Sequence, residues 1–289
     1  MNSKIAIFII ISLILVIPSA SAQEINIGEK AVQKSIQVVI SDEGDIHVTH
    51  VVKSTGSPKQ MNLIDGTIEN LIITNEKGQE QPVTVIGDND SVLIFPSGSD
   101  SIVEYDLKDV LFLKDNLWTL DFLYLETTTF LFPEKLDLIF VNDRPVFLDD
   151  KKGISCYGCQ MILKYSLDQQ KNIEYVNWEN KEFAVEIVTF AEIENFDFNQ
   201  PSKEINFKVN DDNQFLTTII PLELLQKPFT VFLNEEEVFF YDYNNNGTHV
   251  WINIKPDTAG EISIIGTTVE IIECGWWDKF LALFGIGKC

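Results

Sequence analysis

Short runs of β-branched and aromatic residues recur along almost the whole chain, each closed by Gly, Pro, Asn, Asp or Ser, while helical spacing of apolar residues is scarce. This pattern constrains the fold more than any other feature, because a period of two belongs to a half-buried strand. "SIQVVISDEGDIHVTHVV" reads as two strands around a Ser-Asp-Glu-Gly turn, and "PVTVIGDNDSVLIF" as another pair around Gly-Asp-Asn-Asp. In "NLWTLDFLYL" the alternation puts Trp118, Leu120, Phe122 and Tyr124 on one face. "KLDLIFVNDRPVFL" places a strand before a turn at Asn142-Asp143. Short strands joined by such turns predict an antiparallel sandwich or barrel rather than a parallel sheet with crossover helices. The expected fold is mainly β: two or three antiparallel β-sandwich, immunoglobulin-like domains, followed by a short C-terminal amphipathic helix.

Four segments are expected. "MNSKIAIFIIISLILVIPSASAQ" has a lysine, an apolar stretch, Pro18 and the small residues Ala20-Ser21-Ala22, which predicts a signal peptide over residues 1–22 and an extracytoplasmic or cell-surface address. A short uncleaved anchor is the alternative, although a spanning helix needs roughly 20 apolar residues. Pro201 in "FNQPSKEIN" interrupts the strand pattern and predicts a boundary between a large β domain (23–199, one sandwich or two) and a small sandwich (202–273). Residues 274–289 form a tail bracketed by Cys274 and Cys289. Residues 1–22 hold one lysine and no acid, so their removal takes the formal charge from −23 to −24. A field of that sign repels nucleic acid and anionic lipid and keeps an exported protein soluble. With 45% hydrophobic residues the chain is no disordered acidic tail.

"TIIPLELL", "FTVFLNEEEV", "THVWINIKP" and "ISIIGTTVEI" resemble the C-terminal β domain of exported surface proteins of ammonia-oxidising archaea, and "TTTFLFPEKLDLIFVNDRPV" resembles the preceding domain of archaeal surface proteins. The resemblance covers about half the chain. It implies a cell-surface protein of β-sandwich build and carries over no catalytic residue and no activity.

Four cysteines in an exported chain favour disulfides and allow three pairings. Cys156 and Cys159 in "SCYGCQ" precede strand-like alternation, whereas a redox-active pair sits at a helix N-terminus. A disulfide across a four-residue turn, with Gly158 at positive φ, is the preferred reading. Thiol redox chemistry, or Cu(I) held by Cys156, Cys159 and Met161, is the competing one. A tail helix over residues 276–284 allows Cys289 to return beside Cys274.

The hairpin "EEEVFFYDYNNNGTHVWINIKP" leaves two registers open. A two-residue Asn246-Gly247 turn pairs Tyr243 with Val250 and Tyr241 with Ile252, burying the aromatic residues. A three-residue loop pairs Tyr241 with Trp251 and leaves Phe239, Tyr241, Tyr243 and Trp251 on the other face, where they would stack on sugar rings or cover a partner. Asp242, Asn244 and Asn246 before Gly247 match the opening of a calcium-binding loop, but Asn253 replaces the closing glutamate. Asn89 and Asn246 fit the glycosylation acceptor pattern. His47 and His50 point to opposite faces of a strand, so they share no metal.

In the tail, Trp276, Trp277, Phe280, Leu281, Leu283 and Phe284 gather on one side of a helical wheel. That face either plugs the preceding sandwich or lies on a membrane surface as a peripheral contact. No nucleophile-elbow, zincin or phosphate-loop motif occurs. The expected function is therefore a structural or binding role at the cell surface, toward an envelope protein or glycan, with no cofactor beyond weak calcium. An extracytoplasmic hydrolase, or a copper or thiol redox protein, is the alternative.

Overall fold

A computed structural model describes residues 29–267, apart from residues 89, 149, 151 and 244–246. The expected signal peptide, the tail from Cys274 to Cys289, and Asn89, Asn244 and Asn246 lie outside the described residues. Every element described is a strand, and the strands form several largely antiparallel sheets. The fold is mainly β and sandwich-like.

The first compact unit comprises residues 29–111, 122–132 and 153–160. Its larger sheet has six strands in the order Gly153–Cys156, Thr128–Leu131, Gln33–Ile40, Ile46–Val52, Ser101–Lys108 and Thr67–Asn75. Alternation sets the buried face: Ile46, Val48, His50 and Val52 point inward from one strand, and Val103, Tyr105 and Leu107 from its neighbour. The expected turn after Ile40 closes at the Ile40–Ile46 pair, where Ser41 Oγ accepts the backbone N–H groups of Glu43 and Asp45 at 3.2 and 3.1 Å. Two pairings are parallel, Thr128–Leu131 with Gln33–Ile40 and Glu29–Lys30 with Lys59–Asn62. In each, the partners are remote in sequence, so no hairpin turn dictates their direction.

Cys156 and Cys159 form a disulfide across a turn at Tyr157-Gly158. Gly158 has φ of +58°, and a Cβ there would lie 2.8 Å from the Leu125 carbonyl oxygen, so both conformation and space require glycine.

The second unit comprises residues 112–121, 133–152 and 161–267. Two of its sheets face each other across one core. The first runs Gln170–Trp178, Lys181–Thr189, Leu216–Pro221, His249–Ile254, Tyr241–Tyr243. The second runs Ile193–Asn199, Glu204–Val209, Gly260–Thr267, Gln226–Leu233, Glu236–Glu237. Val185, Ile187, Ile220, Val250 and Ile252 from the first meet Ile205, Phe207, Val231, Ile262 and Ile264 from the second, all buried. Each such side chain contributes roughly 1.5–3 kcal/mol. Two-residue turns with positive φ at both positions tighten the hairpins at Asp115-Asn116, Asn142-Asp143, Glu179-Asn180 and Asn234-Glu235. This mirror-image turn matches the strand twist, and Asn and Asp tolerate it best after glycine.

The boundary expected at Pro201 is not a domain edge. Pro201, Ser202 and Lys203 form the turn of a hairpin that pairs Asn199 with Glu204 and Phe198 with Ile205. Proline suits a turn as well as a linker, and the sandwich already includes the strands from Gln170 onward.

Thr218 points into this core between its cross-strand neighbours Ile187 and Ile252, and its hydroxyl has no hydrogen-bond partner among the described residues. An unpaired buried hydroxyl costs about 1–3 kcal/mol. Thr218→Val therefore raises unfolding stability by about 1 kcal/mol in urea titrations. A loss of similar size contradicts this account of the core.

Candidate functional site

The sheet that ends in Tyr241–Tyr243 has an inner aliphatic face and an outer face of different chemistry. On its His249–Ile254 strand, Val250, Ile252 and Ile254 point into the core, while His249, Trp251 and Asn253 point outward. The ladder pairs Tyr243 with Trp251, Asp242 with Ile252 and Tyr241 with Asn253. This is neither of the two registers read from the hairpin. It is slipped so that a longer connection joins the strands, with Gly247 at φ of +73°. The outcome keeps Phe239, Tyr241, Tyr243 and Trp251 off the core face, while Val238 and Phe240 pack against it. The physical reason is space and polarity: the core is filled by aliphatic side chains, and a buried tyrosine hydroxyl needs a partner there.

Cross-strand pairing extends the outer face into rows. Ile173, Glu186, Ile219, Trp251 and Tyr243 follow one another across the five strands, and Lys171, Val188, Thr217, Asn253 and Tyr241 lie in the next row. Phe147, on the Arg144–Phe147 strand, covers part of this face. Its ring stacks on Tyr243 at 4.1 Å and meets Trp251 edge-on at 4.9 Å. Phe239 stays 76% exposed, with Tyr241 edge-on to it at 4.8 Å. Of the four aromatic residues singled out, Tyr243 and Trp251 thus join one cluster and Phe239 and Tyr241 another.

Two cavities open on this unit. The larger, about 530 Å³, has Ile219, Val188, Thr217 and Trp251 on its sheet side and Leu136 and Leu138 opposite. Its lining carries two ion pairs, Lys135 with Asp168 at 3.2 Å and Lys171 with Glu186 at 2.7 Å, and Asp137 of the lining pairs with Lys152 outside it. Exposed pairs of this kind add little stability, but they hold donors and acceptors side by side at the mouth. The smaller cavity, about 380 Å³, is lined by Phe140, Phe215, Tyr241, Asn253 and the Asp143–Lys255 pair. A hydrogen bond from Lys164 holds Asp143 below the usual carboxylate range. Asn253 is 1% exposed. Its Oδ1 accepts the Thr217 hydroxyl at 2.8 Å, while Nδ2 has no partner among the described residues.

Of the three residues of the calcium reading, Asp242 is ion-paired with Lys227, and Asn244 and Asn246 lie outside the described residues. Cys156 and Cys159 form the disulfide that the turn reading expects, with Cys159 buried, and as a disulfide neither sulfur is a thiolate that could hold Cu(I). Among the described residues, no group of three or more His, Cys, Asp and Glu side chains is placed to hold a metal ion.

The first unit contains a buried polar chain that sequence reading missed. The Ile64 N–H donates to Tyr105 Oη at 2.9 Å, and Tyr105 Oη lies 2.9 Å from His50 Nε2. His50 Nδ1 lies 2.5 Å from Gln33 Oε1, Gln33 Nε2 donates to Tyr124 Oη at 3.0 Å, and Tyr124 donates to the Asn62 carbonyl at 2.6 Å. The fixed ends set every proton: Gln33 Oε1 can only accept, so His50 carries its proton on Nδ1 and receives the Tyr105 hydroxyl at Nε2. Only neutral His50 fits. Burial pushes its pKa down to about 3, and burial pushes Tyr124 up to about 12. His47, on the opposite face of the same strand, is exposed and hydrogen-bonds Asp106 at 2.8 Å. The alternation that buries His50 was readable, but its partners are not, since they lie 17, 55 and 91 residues away along the links of the chain.

No protein-family model matches the chain, and no curated protein matches it. Among solved structures, an aminopeptidase N family protein from Idiomarina loihiensis is similar over 51% of this chain and 31% of that one, with 11% identity and a TM-score of 0.35. A likeness at that level carries no argument about activity.

Because the native chain keeps His50 neutral while the unfolded chain binds a proton near pH 6.5, the stability it contributes is complete above that pH and is lost as pH falls toward 3. Urea unfolding of the wild type and of His50→Gln between pH 6 and 4 tests this. Their stability difference should change by roughly 1 kcal/mol per pH unit, the wild type losing more. Equal slopes contradict the neutral assignment.

Proposed function

We propose that this chain is an exported cell-surface protein that holds an envelope glycan or protein on the outer face of the sheet carrying Trp251. The supporting observation is the 530 Å³ cleft, with Trp251 and Ile219 on one wall and paired donors and acceptors around its mouth. Its size is that of a ligand pocket, and its lining sets the apolar Leu136, Leu138, Leu167, Val188, Ile219 and Trp251 among polar and charged side chains. The signal-peptide pattern, the resemblance to archaeal surface proteins and the formal charge of −23 support an extracytoplasmic address and oppose nucleic acid as a partner. Two five-stranded sheets around one core support an immunoglobulin-like reading of the sandwich.

Ile219→Lys tests the binding face. Lysine there fills the cleft and stands opposite Glu186, so the sheet pairing is retained. On an immobilised panel of saccharides and end-blocked peptides, the full chain binds members of at least one class, and the variant binds them at least about tenfold more weakly with an unchanged melting temperature. Binding that ignores the substitution contradicts the proposal.

The C-terminal segment is proposed as a plug clipped by Cys274 and Cys289, with Trp276, Trp277, Phe280, Leu281 and Phe284 packed on the protein. Liposome flotation of residues 23–289 beside a chain stopped at Glu273 checks this. Neither should float, and the shorter chain should melt at a lower temperature. Flotation of the longer chain alone would make the tail a membrane contact.

A further inference from the structure

The cleft over Trp251 also carries information about the class of ligand. The geometry points to an uncharged saccharide residue, one pyranose face laid on Trp251 and its hydroxyls on the rim pairs. This inference rests on the binding face proposed above and goes further by choosing between the two ligand classes left open there.

Three observations carry it. First, the charge of the site differs from that of the chain. The protein has 44 acidic and 21 basic residues, yet each acid of the lining has a lysine partner: Asp168 with Lys135 and Glu186 with Lys171 inside the lining, and Asp137 with Lys152 outside it. Acids that are each ion-paired leave little local charge to attract an anion or a cation, so the cleft suits a neutral ligand. Second, the three strands that floor the cleft, Lys181–Thr189, Leu216–Pro221 and His249–Ile254, are interior strands paired on both sides. They offer no free main-chain edge; the edge on this side belongs to Gln170–Trp178, whose Lys171 also lines the cleft, so an extended peptide would add itself beside the floor and not on it. Third, a hydroxyl both donates and accepts, and each rim pair presents a donor beside an acceptor; Lys171 with Glu186 flanks the floor at 2.7 Å. Trp251 supplies what a sugar ring needs and a small polyol does not use, a flat apolar surface.

Calorimetric titration of the full chain tests the assignment. The probes are glucose, mannose, galactose and N-acetylglucosamine, their disaccharides, glucuronic acid, and end-blocked peptides. At least one neutral sugar should bind. Trp251→Ala should weaken it by at least about tenfold, and Trp251→Phe should restore most of the loss. Lys171→Met, which changes the rim and leaves the floor intact, should weaken it about threefold or more. Glucuronic acid should bind less well than glucose. Since Trp251→Ala also removes the contact with Phe147, its melting temperature is measured alongside, and the Lys171 variant decides the matter if that variant fails to fold. Peptide binding that depends on Trp251, or a preference for glucuronic acid, overturns the saccharide assignment and leaves the binding face standing. Sugar binding indifferent to both residues, or no binding by any probe, overturns the two together.

Discussion

The pairing of Tyr243 with Trp251 determines what the second unit presents to solvent. Because side chains alternate along a strand, a slip of one residue in this ladder would turn Tyr241 and Tyr243 into a core already closed by Val250, Ile252 and Ile264. In the observed register the aliphatic side chains stay inside and the aromatic ones form an outer surface, against which Phe147 stacks. Trp251 then has a reason to be where it is. It lines a cleft without being needed to fill the core.

The sandwich makes that surface rigid. Ten strands share one apolar core, and four hairpins across the unit use two-residue turns whose left-handed residues are Asn, Asp or, at two positions, Glu. Such turns leave no slack in the strands they join. The polar residues that interrupt the outer face are held in turn: Thr217 bonds Asn253, and Lys171 pairs with Glu186. A binding face on strands is better fixed than one on loops, because its side chains are oriented by the ladder beneath them. The first unit uses a different device, a chain of hydrogen bonds with His50 at its centre that ties strand residues to the backbone of Asn62 and Ile64.

Much of the fold was legible from local pattern. Strand alternation in "NLWTLDFLYL" put Leu120, Phe122 and Tyr124 on the buried side, and Asn142-Asp143 is the turn its residue types suggest. The disulfide turn at Cys156–Cys159 has its glycine at positive φ for the reason sequence provides. What failed to show was non-local. Pro201 marks a turn as readily as a linker, so a boundary placed there falls inside one of the sandwich's own hairpins. The register at Tyr243 depends on core space that local turn chemistry does not report. The rim of the cleft is assembled from Lys135, Asp168, Lys171 and Glu186, whose adjacency arises only after the strands have paired. In a chain with acids throughout, no pattern would have singled them out.

The most direct test of this account is the indole N–H spectrum of the full chain. The account places Trp251 in the cleft, Trp118 beside Tyr165, and Trp178 against the sandwich core near Phe183. Addition of a neutral disaccharide should shift the Trp251 indole resonance and leave those of Trp118 and Trp178 in place. A shift at Trp118 or Trp178 with Trp251 unmoved would contradict the claim that the outer face of this sheet is where the protein binds.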